Sequence, residues 1–368
     1  MKSYLILENG EVFDGVLVGQ QLNSFPDRAG EIVFNTAHSG YEEVATDPSY
    51  FNQIVVMTAP MQGNYGSIQT DWESSKVWIQ GFVCLQMQNT NENSSWVNRL
   101  VENDIPILTE VDTRTLTIHL RNQGTPWGAL VTAVDEKNAV NKAMKLIFEA
   151  KKIDKDWVHL ASRKKIEVLS GEISNGLKVA VLDFGVKENI LRELKKRTSE
   201  LRIYPSRTPW EVIEQWTPDT LMLTNGPGDP SQVQVAVETV QHFLGKKPIF
   251  GICMGHQVLG QALGAKTYKL KFGHRGVNHP IKDQLLNRIY VSSQNHGYAI
   301  DEKTLPKDVQ ITHVNLNDNS VAGFYSKERN CLGIQYHPES HPGPHEAIEL
   351  FTYFINEMNQ KNAEGSLK

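Results

Sequence analysis

The sequence predicts an α/β protein in two parts: a C-terminal, mostly parallel, doubly wound sheet, preceded by a β-rich α+β domain. Three observations lead there. From Lys178 onward short apolar strands alternate with amphipathic helices, the rhythm of a parallel sheet covered on both faces. Within that alternation the apolar strand Ile249–Ile252 runs into a Gly-flanked cysteine, Gly251-Ile252-Cys253-Met254-Gly255, and a helix pattern starts at once. Residues 1 to about 150 instead mix strand-like pieces with helices and show no such alternation.

The N-terminal elements follow from local signals. Tyr4–Leu7 and Val12–Val18 flank Asn9-Gly10, the strongest short hairpin signal. Gln53–Thr58, Val77–Leu85 and Ile105–Glu110 are further strand candidates. Asp112 is placed to cap a helix that carries Leu116 and Leu120 and closes at Gly124, and a last helix runs from about Glu136 to Lys151. Residues 151–176 are rich in charge and small polar groups, which predicts a linker.

After the linker the expected order is a strand at Lys178–Asp183 and a helix at Lys187–Arg197, then a strand at Leu201–Tyr204 and a helix at Pro209–Gln215. Leu221–Thr224 leads into a loop, Val233–Leu244 is helical, Ile249–Ile252 feeds Cys253, and the helix Gly255–Leu263 ends at Gly264. Arg288–Ser292, Gln310–Val314 and Leu332–Tyr336 look like strands, and His345–Met358 like a final helix. The domain limits expected are 1–150, a linker over 151–176, and 177–360.

Composition narrows the class of function. A chain of 368 residues is long enough for two domains, each with its own core. The formal net charge of -5 gives no electrostatic case for nucleic acid or an anionic membrane. Cys84, Cys253 and Cys331 cannot all pair and show no metal-ligand spacing, which favours a reducing compartment. No stretch has the apolar length of a signal peptide or a membrane span, so a cytoplasmic protein is expected.

The chemistry centres on Cys253. Gly251 and Gly255 permit a tight strand-to-helix turn that turns the sulfur outward, and a helix N-terminus favours thiolate. A thiol nucleophile needs a base and a group to orient that base. Among twelve histidines, His337 stands at a strand end in Tyr336-His337-Pro338-Glu339, where Pro338 holds it extended. Residues i and i+2 of an extended chain face one side, so Glu339 can reach the His337 ring. The Gly-rich loop Thr224-Asn225-Gly226-Pro227-Gly228-Asp229-Pro230 ends another strand and can bring backbone N–H groups to a developing oxyanion. Gln257 lies one helical turn past Cys253 on the same face, so its amide could meet a substrate. Asn295 could pair with an α-carboxylate or α-ammonium group.

In that chain order, the Gly-Pro-Gly-Asp-Pro loop, the cysteine turn and the His-Pro-Glu strongly resemble a class I (triad-type) glutamine amidotransferase over about residues 178–358. The resemblance implies that Cys253 attacks the γ-amide of glutamine, that His337 shuttles the proton and that Glu339 orients His337. It also implies oxyanion donors at the N–H groups of Gly226 and Met254, the latter in a place often filled by leucine. The stretch Phe34-Asn35-Thr36-Ala37-His38-Ser39-Gly40-Tyr41-Glu42-Glu43-Val44-Ala45-Thr46-Asp47-Pro48-Ser49-Tyr50 resembles the N-terminal signature of the carbamoyl-phosphate synthetase small subunit. Asp112-Thr113-Arg114-Thr115, Lys271-Phe272-Gly273-His274-Arg275-Gly276 and Gln294-Asn295-His296-Gly297-Tyr298 extend that similarity nearly end to end. By family pattern Ser49, Gly226, Gly228, Met254, Gln257, Asn295, Gly297 and Tyr298 line the glutamine site. Tyr298 stands where relatives often carry Phe, and Ser49 rests on the resemblance alone.

No phosphate-binding loop or dinucleotide fingerprint occurs, and Asp183-Phe184-Gly185 lacks the rest of the kinase signature set. Ammonia released here would have no evident acceptor on this chain. The resemblance implies a large partner subunit, in a heterodimer or higher oligomer, that binds ATP, Mg and bicarbonate and makes carbamoyl phosphate for arginine or pyrimidine synthesis. No cofactor is expected on this chain itself. His256, His274, His279, His296, His341 and His345 are read as solvated or structural, with no metal site, because Pro342 and Pro344 deny the His341–His345 pair a helix. Two rival readings are a free-standing Cys-dependent γ-glutamyl hydrolase and a non-catalytic regulatory subunit, the latter opposed by the intact Cys253, His337 and Glu339.

Overall fold

The computed structural model describes residues 2–19, 26–89 and 95–358, so the expected domain limits at residues 1 and 360 lie outside the described residues. The chain divides into two compact units, Met1–Asp154 and Lys155–Lys368. In the first, β1 (Lys2–Leu7), β2 (Val12–Val18), β3 (Arg28–Asn35) and β4 (Gln53–Met57) are followed by the short β5 (Met61–Gln62), β6 (Gly81–Val83), short β7 (Gln86–Met87), β8 (Ile107–Thr109) and β9 (Trp127–Ala133). Seven of these close a barrel in the order β1-β2-β8-β6-β4-β3-β9, while β5 and β7 pair separately. The expected hairpin is present: Gly10, at φ +89°, donates its N–H to Leu7 O at the turn between β1 and β2.

Alternation along the strands sorts the barrel's side chains. Leu5 and Leu7 pack with Ile54, Val56, Leu108, Leu116 and Leu120, whereas Tyr4 and Ile6 pack on Ala139, Ala143 and Ile147 of the helix Glu136–Ala150. Asp112 caps the helix Thr113–Gln123 by accepting the N–H of Thr115, and Gly124 ends it. The strands β3 and β9 carry no clean polar alternation and escape the sequence reading, because both faces of Ile32–Val33 and Ala129–Val131 are buried.

The second unit is built on one ten-stranded sheet. Its strands are β10 (Glu167–Ser170), β11 (Lys178–Asp183), β12 (Glu200–Pro205), β13 (Thr220–Leu223), β14 (Ile249–Ile252), β15 (Thr267–Asp283), β16 (Arg288–Ile300), β17 (Gln310–Asn315), β18 (Val321–Ser326) and β19 (Cys331–Ile334). They lie in the order β10-β12-β11-β13-β14-β19-β18-β17-β15-β16, with β12, β11, β13, β14 and β19 parallel and the rest antiparallel. On one face Val179, Val181, Phe250 and Ile252 pack against Ile190, Leu194, Leu350 and Phe351 of two helices. On the other, Ala180, Leu182, Leu221 and Leu223 pack against Val237, Val240, Val258 and Leu259.

Two expectations are corrected. The stretch 151–176 holds structure: the helix Trp157–Ala161 buries Val158 in the core, and β10 pairs antiparallel with β12. Its charge misled because β10 is an edge strand with mostly exposed side chains, where polar residues are tolerated. The final helix is the five residues Glu349–Tyr353, continued by a wider turn over Phe354–Met358, and not one helix from His345. Lys269–Arg275 belongs to β15, whose register against β16 shifts between Lys269 and His274 and again between Gly276 and His279. Those irregularities break the two-residue period, so no alternation in the sequence marks this long strand.

Candidate active site

Cys253 sits between the end of β14 and the helix Met254–Ala262, with φ +53° and ψ −103°. A side-chain-bearing residue held there stores about 1–3 kcal/mol of strain, and the surroundings must over-determine it. They do so through backbone. Cys253 N donates to Ile334 O at 2.8 Å on β19, and Gly255 N donates to Thr224 O at 2.8 Å beyond β13. A Cβ at Gly255 would stand 2.2 Å from Leu223 O, so only glycine lets the helix start this close to the neighbouring strand. Cys253 is 2 % exposed, and its Sγ lies 3.4 Å from the carbonyl oxygen of Asn295. The other two cysteines are different: burial pushes the thiols of Cys84 and Cys331 up to about 12, which keeps them protonated.

His337 follows β19 and is fixed by its backbone, donating its N–H to Ser293 O of β16 at 2.9 Å. Its Nδ1 lies 2.6 Å from Glu339 Oε1, the contact that the two-residue spacing predicts. Burial acts against the imidazolium. The Glu339 carboxylate, together with the nearby Cys253, outweighs it and holds the His337 pKa well above the ordinary histidine range. With Nδ1 committed to Glu339, the buried Nε2 is left without a hydrogen-bond partner among the described residues. Burial would raise the Glu339 pKa, but Lys187 and His337 together hold it below the ordinary carboxylate range.

Lys187 and Asn189 are neighbours of Glu339 that sequence reasoning missed. Lys187 Nζ reaches Glu339 Oε1 at 3.1 Å and also bonds the Ser340 carbonyl, while Asn189 donates to the Glu339 carbonyl. Their loop is held by Asp183, whose carboxylate accepts the N–H groups of Gly185 and Val186, and by Asn225, which accepts Lys187 N–H. The set-aside Asp183-Phe184-Gly185 thus has a structural task. The only available signal was a lysine buried to 2 % exposure, and burial is not visible in sequence.

The loop after β13 packs tightly: a Cβ at Gly226 would lie 2.2 Å from Phe184 O, and Gly228 sits at φ +88° beside Trp157. Met254 is the first helical residue, so its N–H has no intrahelical acceptor. Gln257 is 2 % exposed, and its Nε2 donates to Tyr298 O at 2.8 Å and Gln335 Oε1 at 3.1 Å. His296 Nδ1 lies 2.7 Å from that same Tyr298 oxygen, and burial holds the His296 pKa well below its ordinary value. The helix that follows Cys253 and the Asn295–Tyr298 segment are therefore pinned to each other. Asn295, Gly297 and Tyr298 all lie on β16. Ser49 belongs to the first unit, buried in the short turn Pro48–Tyr50, where its N–H bonds Asp47 Oδ1 at 2.8 Å.

Among the described residues no group of three His, Cys, Asp or Glu side chains is placed to hold a metal ion, and no helix is long and apolar enough to cross a membrane.

Two family models match. Residues 180–357 match the class-I glutamine amidotransferase, and residues 5–130 match the CPSase domain of the carbamoyl-phosphate synthase small chain. The chain is 41 % identical over 361 residues to the carbamoyl phosphate synthase small chain of Caldanaerobacter subterraneus, covering 97 % of this chain and 96 % of that one. It is 43 % identical over 359 residues to that of Clostridium perfringens, covering 96 % and 99 %. To that of Listeria innocua it is 40 % identical over 373 residues, covering 100 % and 99 %.

Proposed function

The chain belongs to the carbamoyl-phosphate synthase small-chain family and has its glutamine-hydrolysing role, and we propose that Cys253, His337 and Glu339 carry out that hydrolysis. The observation that carries the assignment is the buried His337–Glu339 contact of 2.6 Å, with Cys253 among the groups that raise the His337 pKa.

The steps follow from that geometry. The proton of the Cys253 thiol rests on His337 Nε2, the thiolate–imidazolium pair that the raised His337 pKa favours, and the sulfur attacks the γ-amide carbon of glutamine. The carbonyl oxygen becomes an oxyanion held by the N–H groups of Gly226 and Met254. His337 returns the proton to the leaving nitrogen, ammonia departs and a γ-glutamyl thioester remains. Water then attacks the thioester, His337 takes its proton and hands it to the departing sulfur, and glutamate leaves. Glu339 keeps the imidazole in one tautomer and stabilises its charged form. Ser49, Gly228, Gln257, Asn295, Gly297 and Tyr298 complete the glutamine site; for Ser49 the family resemblance is the whole support. Gln257 acts through its hold on Tyr298 and Gln335 as much as through any contact with substrate.

The ammonia goes to a large partner subunit that binds ATP, Mg and bicarbonate and forms carbamoyl phosphate, in a heterodimer. A closed passage suits this chemistry, since ammonia released to neutral water is protonated and loses its nucleophilicity. Three free, buried cysteines fit a cytoplasmic setting. The domain limits proposed are 1–150 for the family-specific part and 177–360 for the amidotransferase part, onto whose sheet and core residues 157–170 pack.

Cys253→Ser tests the assignment in the assembled complex. Glutamine-dependent synthesis should vanish while synthesis from added ammonium persists. Loss of both in a well-folded complex would show that the role is misassigned. Rapid glutamine turnover by the purified chain without a partner would instead favour the free-standing hydrolase.

A further inference from the structure

Directly behind His337 lies a second buried polar cluster that glutamine hydrolysis does not use. Tyr336, the residue before His337, is 0 % exposed, and its hydroxyl pairs with that of Tyr290 on β16. Tyr290 in turn donates to Asp283 Oδ2 at 3.0 Å. One hydroxyl carries one proton, so Tyr336 is the donor to Tyr290. The relay ends on a fixed anion: Asp283 Oδ1 accepts the N–H groups of Leu285 at 2.8 Å and Leu286 at 2.9 Å, and His313 Nε2 lies 3.1 Å away. Phenylalanine at either tyrosine would bury the same ring without the polar atoms, whose burial is unfavourable unless they are paired.

The relay joins the two pieces of backbone that flank the thiol. Tyr336 leads out of β19 into His337, while Tyr290 stands three residues before Ser293, the acceptor of His337 N–H. Two residues further along β16 is Asn295, whose carbonyl faces Cys253 Sγ. Ser293–His337 is an isolated backbone bridge between these two segments, and the Glu339 contact holds only the far side of the ring. The Tyr336–Tyr290 hydroxyl pair supplies a second point of attachment between the same segments.

We propose that the Tyr336–Tyr290–Asp283 relay is a positioning device for His337, fixing the imidazole against the Cys253 thiol. The inference rests on the glutaminase assignment above. Tyr336, Tyr290 and Asp283 touch no substrate; they act through His337.

The test compares Tyr336→Phe, Tyr290→Phe and the double variant with the parent, each assembled with its partner subunit. The rate of γ-glutamyl adduct formation on Cys253 is followed by intact mass in a single turnover, per titrated thiol, alongside KM for glutamine. Each single variant should slow adduct formation by about tenfold with KM changed by no more than about twofold, and the double should be no slower than either single. A purely structural role would lower the melting temperature and leave the rate per titrated thiol at the parent value, which overturns the proposal. So would losses that multiply in the double variant, since a relay breaks once. Tyr290→Phe carries the same test should Tyr336→Phe fail to fold. Absence of the adduct in the parent complex overturns the glutaminase assignment together with the relay; its presence, with unaltered rates in the variants, overturns the relay alone.

Discussion

His337 and His313 are both buried beside a carboxylate, yet the two carboxylates are held by different kinds of group. Asp283 takes two backbone N–H groups and the Tyr290 hydroxyl, all fixed dipoles, besides its neighbour His313. Glu339 takes His337 Nδ1 and the Lys187 ammonium at one oxygen. Burial would raise both carboxyl pKa values. His313 and the hydrogen bonds around it depress Asp283, while Lys187 and His337 depress Glu339. Three fixed dipoles besides one histidine hold Asp283 as part of the scaffold. A carboxylate balanced against two cationic side chains instead responds when one of them gains or loses a proton, as a catalytic orienter must.

Substitutions can break this contrast. The largest expected effect is at His337→Ala, where both proton transfers are lost and glutamine hydrolysis falls by about a thousandfold or more, read as ammonia release by the complex. Glu339→Ala should cost less, about 10–100-fold, because the base remains and only its orientation and charge balance suffer. An equal or larger loss at Glu339 would sink that ranking. The same variant removes the carboxylate that opposes burial, so the His337 ring should titrate at lower pH, which NMR of labelled histidine would register. No downward movement would show that Glu339 is not what raises it.

Asp283→Asn belongs to the other side of the contrast: besides loosening the relay behind His337, it should cost about 2 kcal/mol of stability, since it leaves a buried donor facing the N–H groups of Leu285 and Leu286. The folded pKa of Asp283 is depressed, so its contribution is complete above the ordinary carboxylate range and is lost as pH falls through the lowered value. Acid unfolding followed by circular dichroism should therefore be less steep in Asp283→Asn than in the parent. An unchanged acid limb would remove Asp283 from the scaffold class.

The legible parts of the site were the local ones. His337 and Glu339 are two residues apart on extended chain, and Gly251 to Gly255 spans one turn, so their geometry follows from short-range backbone rules. The β11 to β14 alternation was legible for the same reason. Lys187 was not, since it meets Glu339 from 152 positions away. The barrel's closure was equally hidden: β3, β4, β6 and β8 pair in parallel across intervening segments, and no turn signal specifies such a register. Tyr290 and Tyr336 looked like ordinary strand aromatics because a hydroxyl pair across a sheet leaves no spacing to read.

The close approach of Gly255 to Leu223 has a consequence for how this site tolerates mutational drift. The proposed anion donors are main-chain groups, so Met254 can exchange its side chain for another of similar bulk and still present the same N–H. Its neighbour Gly255 can accept no side chain at all without pushing the helix off the strand. Adjacent positions thus differ completely in their freedom to vary, and the atoms that need strictest preservation near the thiol are ones that belong to no side chain.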